Sequence, residues 1–387
     1  MIELKDVWAS YGRLKALKGI NLRIKPQEYV VILGPSGAGK TTLLKVIAGL
    51  IKLENGEILL GIGKKNPQSR KGEDRVQELV NVTNYPPEKR DVAFLPQTYA
   101  LFEQMTVWDN TVFGPKVKYW KTDRIDLVGH EILQLVKLDQ RTGAYPDELS
   151  GGMQQRCALA RSLAASSKIL LLDEPLRALD ARLRIELREE LKRLSSQLKM
   201  TTIHVTHDQE EAMTVADRII IMNKGHIEQI GTPEDVYFRP ATPFVASFIG
   251  EASFLPGRVT SRDGEITGIQ VLNNAGTIKT SSSVHEQGDR VVVAVKPERI
   301  RLIKQLNDPE PNHCTFTGNV LGTYFLGRFV SLKIELEGIK RLVKIKIPGF
   351  ELKEVEVGQT VHFTFSAKDC VVFAHDGSEI DESFAEE

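Results

Sequence analysis

Residues 29–42 read Tyr29-Val30-Val31-Ile32-Leu33-Gly34-Pro35-Ser36-Gly37-Ala38-Gly39-Lys40-Thr41-Thr42, followed by the helix-like run Leu43-Leu44-Lys45-Val46-Ile47-Ala48. An apolar strand delivers the chain to a glycine-rich turn, and a helix leaves it. Backbone N–H groups of such a turn face inward, and the positive end of the helix dipole points to the same place. The pattern predicts a phosphate-binding loop at Gly34, Pro35, Ser36, Gly37, Ala38, Gly39, Lys40, Thr41 and Thr42. In it, Lys40 reaches the β- and γ-phosphates of a nucleotide and the Thr41 hydroxyl ligates Mg²⁺. The loop alone leaves the use of the nucleotide open, since kinases, GTPases, helicases and transport motors all carry one.

Working outward, the chain has 387 residues, which fits two domains, and its 51 basic side chains balance 51 acidic ones. That balance argues against a dedicated nucleic-acid surface. The three cysteines, Cys157, Cys314 and Cys370, are far apart and show neither disulfide nor zinc spacing, so a reducing compartment is expected. Met1-Ile2-Glu3-Leu4-Lys5-Asp6 lacks the basic start and apolar stretch of a signal peptide. Apolar runs such as Ile169-Leu170-Leu171-Leu172 are strand length, short of a spanning helix.

To about residue 236 short apolar strands alternate with helical patterns, the mark of an α/β fold with a largely parallel core sheet. Leu183, Leu187, Leu191, Leu194 and Leu198 form one amphipathic stripe, and Ile125, Val128, Ile132, Leu135 and Val136 another. The second is read as an inserted helical subdomain. Beyond about residue 255 the period changes to two, as in Val330, Leu332, Ile334 and Leu336, so a second, mostly β domain is expected, a small barrel in form. Gly63 to Asp91, rich in charge, reads as a mobile surface insertion.

Two further motifs narrow the function. Ile169-Leu170-Leu171-Leu172-Asp173-Glu174-Pro175 is an apolar strand that ends in two carboxylates, and Leu149-Ser150-Gly151-Gly152-Met153-Gln154 precedes it. Asp173 is placed to hold Mg²⁺, and Glu174 to orient or deprotonate an attacking water. The chain as a whole resembles the ATP-binding subunit of an ATP-binding cassette transporter, over essentially all of residues 1 to 250. Leu149 to Gln154 is similar to the family's signature segment, with Met153 in place of the usual Gln.

The resemblance implies a phosphate-loop cassette, with a RecA-like core plus a helical subdomain at about residues 99–155. Residues 1–236 form this cassette and 237–387 a C-terminal mostly-β, oligomer-binding-like (TOBE) domain. It implies a dimer of ATP-binding subunits, a homodimer, in which Ser150, Gly151 and Gly152 of one subunit close on ATP held by Lys40 of the other. By the same resemblance Tyr11 stacks on adenine and Gln97 touches Mg²⁺ or the attacking water. His207 approaches the γ-phosphate, and Asp180 belongs with the nucleotide-contacting residues. Arg177 stands where the family has a small residue, in a loop that crosses the dimer interface. His204 is left as structural.

Tyr99 to Phe102, Met105 to Val107 and Asp208 to Met213 are similar to the importer branch that serves maltose, polyamines, sulfate and ferric iron. Val295-Lys296-Pro297-Glu298-Arg299-Ile300 and Tyr324-Phe325-Leu326-Gly327 match its C-terminal domain. The implied function is ATP hydrolysis that powers solute import, with ATP and Mg²⁺ as ligands. Polyamine or ferric iron is slightly favoured as solute, over sulfate, thiosulfate or a sugar. The implied partners are transmembrane permease subunits and, indirectly, an extracytoplasmic solute-binding protein, with no nucleic acid. The place is the cytoplasmic face of the inner membrane. The rival from another class is a soluble cassette ATPase of DNA repair or translation, which tends to carry a long coiled coil or two cassettes. This chain shows one cassette and no sustained heptads.

Overall fold

The computed structural model describes residues 1–65, 75–165, 167–177, 179–263, 266–271, 276–281, 285–303, 313–337, 341–350 and 355–375. They form two compact units, Met1–Glu234 and Asp235–Glu387.

The first unit opens with β1 (Ile2–Tyr11), β2 (Leu14–Ile24), β3 (Tyr29–Leu33), α1 (Lys40–Ala48), β4 (Asn55–Lys65), β5 (Arg75–Asn81) and β6 (Val92–Leu95). It continues through α2 (Val107–Val117), α3 (Thr122–Leu135), α4 (Gly151–Ala164), β7 (Ile169–Asp173), α5 (Ala181–Gln197) and β8 (Thr201–Val205). Then follow α6 (Gln209–Val215), β9 (Arg218–Asn223) and β10 (His226–Gly231).

Its central sheet has six strands in the order β10-β9-β3-β8-β7-β6. From β9 to β6 every pair is parallel, while β10 folds back on β9 as a hairpin. Every residue of β3, β7 and β8 is buried, which is why these strands are continuous apolar runs rather than alternating ones. Register matters for function. Ile32 pairs with Val205, Val205 with Asp173, and Leu172 with Leu95, so four parallel strands end at one edge. The residues just past those ends are Gly34, Gln97, Glu174 and Thr206.

A second, antiparallel sheet in the order β2-β1-β4-β5 shares an apolar core with α1 and the central sheet. Part of the stretch Gly63 to Asp91, read as a mobile surface insertion, forms the outer hairpin of this sheet. β4 runs to Lys65 and pairs with β5 from Leu59↔Asn81 to Lys65↔Arg75, while residues 66–74 lie outside the described residues. The charged composition had hidden an edge strand. α2, α3 and α4 pack on one another around Leu133, Cys157 and Leu163, and Cys157 is a buried free thiol on α4.

α7 (Pro233–Phe238) begins two residues before the second unit, which continues with α8 (Pro243–Phe248) and, among the described residues, ten strands. These are β11 (Ser253–Asp263), β12 (Ile266–Val271), β13 (Thr277–Ser281), β14 (Arg290–Val295), β15 (Arg301–Ile303), β16 (His313–Phe325), β17 (Phe329–Leu336), β18 (Leu342–Pro348), β19 (Thr360–Ser366) and β20 (Cys370–Ala374). They divide into two five-stranded antiparallel sheets, β13-β12-β11-β14-β20 and β15-β19-β16-β17-β18, around one core. The expected small barrel is thus drawn as a pair of sheets, a distinction that period two cannot encode. Val330↔Ile347, Leu332↔Ile345 and Ile334↔Val343 face the core together.

The Lys296-Pro297-Glu298-Arg299 turn explains its own sequence. Lys296 donates to the carbonyls of Ala246 and Ile249 at the end of α8, Glu298 accepts from the Tyr237 hydroxyl, and the Arg299 guanidinium lies 5.6 Å from the Phe238 ring centroid. Cations suit a helix C-terminus, whose last carbonyls lack partners.

Candidate active site

The turn between β3 and α1 is built on close approaches. Gly39 has φ of +99°, and a Cβ there would stand 2.5 Å from the Ala16 carbonyl; at Gly34 a Cβ would stand 2.2 Å from the Met222 carbonyl. Lys40 is buried, and its ammonium donates to the carbonyls of Gly34 at 2.7 Å and Pro35 at 2.9 Å. Burial lowers its pKa, against the opposing pull of Glu174 and Asp173. A buried ammonium that donates to two neutral carbonyls is suited to an incoming anion.

Next along α1, the Thr41 hydroxyl donates to Asp173 Oδ1 at 3.0 Å. Burial pushes the Asp173 carboxyl up, and the Thr41 hydrogen bond acts the other way. Glu174, one residue on, has φ of +52°, a left-handed conformation unusual for a residue with a side chain. Two hydrogen bonds hold it: its N–H donates to the Val205 carbonyl at 2.9 Å, and its own carbonyl accepts from the Gln155 amide at 3.2 Å. The turn aims the carboxylate at three donors. Gln97 Nε2 lies 3.1 Å and Arg177 Nη1 2.9 Å from Oε2, and His207 Nε2 lies 2.5 Å from Oε1.

These groups face a cavity of about 660 Å³ lined by Tyr11, the run from Ser36 to Thr42, Gln97, Glu174, Arg177 and His207. Lys15, Lys18 and Lys224 line it too, cations that carry no motif and that sequence reasoning passed over. Tyr11 is half exposed, as a ring offered to a ligand must be. A second cavity of about 490 Å³ shares Ser36, Glu174, Arg177 and His207 and extends to Arg184 and Asp208.

Four expected residues, Ser150, Gly151, Gly152 and Asp180, line neither cavity. Ser150, Gly151 and Gly152 form the start of α4 and line neither cavity. A Cβ on Gly151 would meet nothing within 4 Å, so this helix start is open on its outer side. Asp180 lines neither cavity and caps α5, accepting from the Leu183 N–H at 2.9 Å. That hydrogen bond gives it a structural task apart from nucleotide.

Two positioning side chains were missed as well. Tyr99 and Ala100, just past Gln97, both have positive φ, and the Arg161 guanidinium of α4 donates to both of their carbonyls, at 3.0 and 2.8 Å. Arg90, 3% exposed, donates to the Val46 and Ile47 carbonyls of α1 and to those of Thr83 and Tyr85. No local motif announces either residue, because the Val46, Ile47, Tyr99 and Ala100 carbonyls they satisfy come from distant stretches.

The donor set fits a magnesium nucleotide. The Thr41 hydroxyl and the Asp173 carboxylate, 3.0 Å apart, offer hard oxygen ligands, and Gln97 lines the cavity with Thr41. Among the described residues no group of three or more His, Cys, Asp or Glu side chains could hold a metal ion.

A phosphate loop and a paired-acid strand at one edge of a parallel sheet define a nucleotide-hydrolysing cassette. Comparison with known proteins agrees. Residues 17–177 match the ABC transporter family and residues 293–373 the TOBE domain. The spermidine/putrescine import ATP-binding protein PotA of Trichormus variabilis is 39% identical over 87% of this chain and 84% of its own length. The sulfate/thiosulfate import ATP-binding protein CysA of Bacillus cereus is 38% identical over 92% of this chain and 93% of its own. Among solved structures, a dimeric post-hydrolysis state of the ATP-binding cassette MJ0796 bound to ADP and Pi matches with a TM-score of 0.52 and 30% identity, covering 60% of this chain and 99% of that one.

The chain belongs to the ABC transporter family, as an ATP-binding subunit of the importer branch with a C-terminal TOBE domain. It is an ATPase whose hydrolysis powers solute import. Among the described residues no helix is long and apolar enough to cross a membrane.

Proposed function

We propose that the 660 Å³ cavity takes ATP, and that hydrolysis there drives import of a polyamine through separate permease subunits. The observation that carries the site assignment is the convergence of Thr41–Asp173 and of Gln97–Glu174–His207 at one strand edge. Lys40 and the loop N–H groups hold the phosphates, and Tyr11 stacks on the base. Glu174 accepts a proton from the attacking water, while Gln97 and His207 orient that water and the terminal phosphate. Thr41, Asp173 and Gln97 hold Mg²⁺, which when bound neutralises phosphate charge.

Ser150, Gly151 and Gly152 act on the nucleotide of a second copy of this chain. What supports this is their open position at the start of α4, away from their own chain's cavity, together with the dimeric state of the MJ0796 cassette. Arg161 joins the Gln97 loop to α4, so nucleotide-dependent movement at Gln97 is carried into the helical subdomain, where we place the permease contact. The working location is then the cytoplasmic face of the membrane.

Polyamine is favoured by the PotA similarity; sulfate or thiosulfate is the second reading, favoured by the slightly greater coverage of CysA. The test is ATPase activity with the membrane subunits and each loaded binding protein in turn. Stimulation by spermidine- or putrescine-loaded protein alone supports the first, and stimulation by the sulfate-loaded protein alone the second.

A further inference from the structure

We infer that Arg177 is a positioning residue that latches the Glu174 carboxylate in the resting chain, so that turnover requires the guanidinium to let go. The inference rests on the reading of Glu174 as the group that accepts the water proton.

Three donors crowd one carboxylate. Gln97 and Arg177 share Oε2, and His207 takes Oε1. An ionised carboxylate has about four lone-pair sites, and a base must offer one of them to water in the correct direction. The three donors are not equivalent. Gln97 and His207 each stand two residues past the end of a central-sheet strand, β6 and β8, and the His207 side chain is 46% exposed. Arg177 follows Glu174 by three residues, and its side chain is 68% exposed while that of Glu174 is 8% exposed.

It is therefore a long arm reaching back from solvent to close over a buried anion. It stands where the two cavities meet, lining both, so the bond it makes lies across the route by which water or phosphate reaches the carboxylate. A charge-assisted bond of 2.9 Å is strong enough to be the populated state. An exposed partner keeps that bond reversible and open to screening by salt. Gln97 and His207 hold the carboxylate from the strand ends. Arg177 adds restraint.

The test compares steady-state MgATP hydrolysis by the purified full chain with that of Arg177→Ala, Arg177→Lys and Glu174→Gln. Arg177→Ala is expected to raise kcat about fivefold with KM unchanged, since one exposed ion pair is worth about that factor. Arg177→Lys keeps the cation and should return the rate toward wild type. At saturating MgATP the wild-type rate should climb as NaCl rises from about 50 to about 500 mM, while Arg177→Ala stays flat; a merely structural arginine would not produce that difference. An Arg177→Ala rate equal to or below wild type overturns the latch. Glu174→Gln separates the two levels: if it hydrolyses at the wild-type rate, the reading of Glu174 fails and the latch with it. If it is inactive while Arg177→Ala is no faster, the latch alone fails.

Discussion

Gln97 and Glu174 lie 77 residues apart in sequence, yet the amide of one donates to the carboxylate of the other at 3.1 Å. Adjacent parallel strands, β6 and β7, make that meeting unavoidable, because Leu95 and Leu172 are register partners. The pair joins the group that would accept a proton to the group that would place the water.

Glu174→Gln is therefore expected to lose hydrolysis by about a thousandfold while still binding MgATP, since general-base contributions are of that order. The Thr41–Asp173 and Lys40 contacts are untouched by the change. Steady-state ATPase assays and equilibrium binding of radiolabelled ATP check the two halves. A wild-type rate would remove Glu174 from the chemistry.

Lys40→Ala should fail earlier. Losing a charged donor to phosphate costs about 2 kcal/mol, or roughly thirtyfold in ATP affinity. Titration with a fluorescent ATP analogue measures this, and unchanged affinity would argue that the buried ammonium serves the fold alone.

Arg90 tests the fold rather than the chemistry. Its buried guanidinium satisfies carbonyls at the end of α1 and in the stretch after β5. Truncation to Ala leaves these groups unpaired and should destabilise the first unit by about 3 kcal/mol. Urea unfolding followed by circular dichroism reports it, and a loss under about 0.5 kcal/mol, the range of ordinary surface changes, would contradict the packing described.

Acid sensitivity should trace in part to His204. Its ring is buried between the Tyr29 hydroxyl at 3.0 Å and Glu211 at 3.3 Å. Desolvation holds its pKa below the usual histidine value, with Glu211 opposing. The native state thus keeps the ring neutral where the unfolded chain takes up a proton. Stability is present above about pH 6.5 and falls as the solution is acidified below it. Urea midpoints at about pH 7.5 and 5.5 should differ less in His204→Gln than in the wild type. An identical difference would assign the acid loss to other groups.

The fold was legible wherever one face or one strand had a single environment. The fully buried β3 and β7 appear as unbroken apolar runs, and the stripe of Leu187, Leu191 and Leu194 places α5. The β4–β5 edge hairpin was missed because edge strands need not be apolar. At the site, the motifs gave Lys40, Thr41, Asp173 and Glu174 because their chemistry depends on neighbours in sequence. Arg161 and Gln155 hold backbone groups contributed from elsewhere, at Tyr99, Ala100 and Glu174, so only the folded arrangement reveals them. Asp180, grouped with the nucleotide contacts by resemblance, also caps α5, a task its sequence context did not announce.

The central claim, that ATP turnover by this chain powers import, is tested most directly in liposomes. The chain is reconstituted with its membrane subunits, and ATP hydrolysis is measured while spermidine- or putrescine-loaded binding protein is added. The account predicts a rate that rises with the loaded binding protein and disappears in Glu174→Gln. A rate indifferent to the membrane subunits and to every loaded binding protein would contradict it.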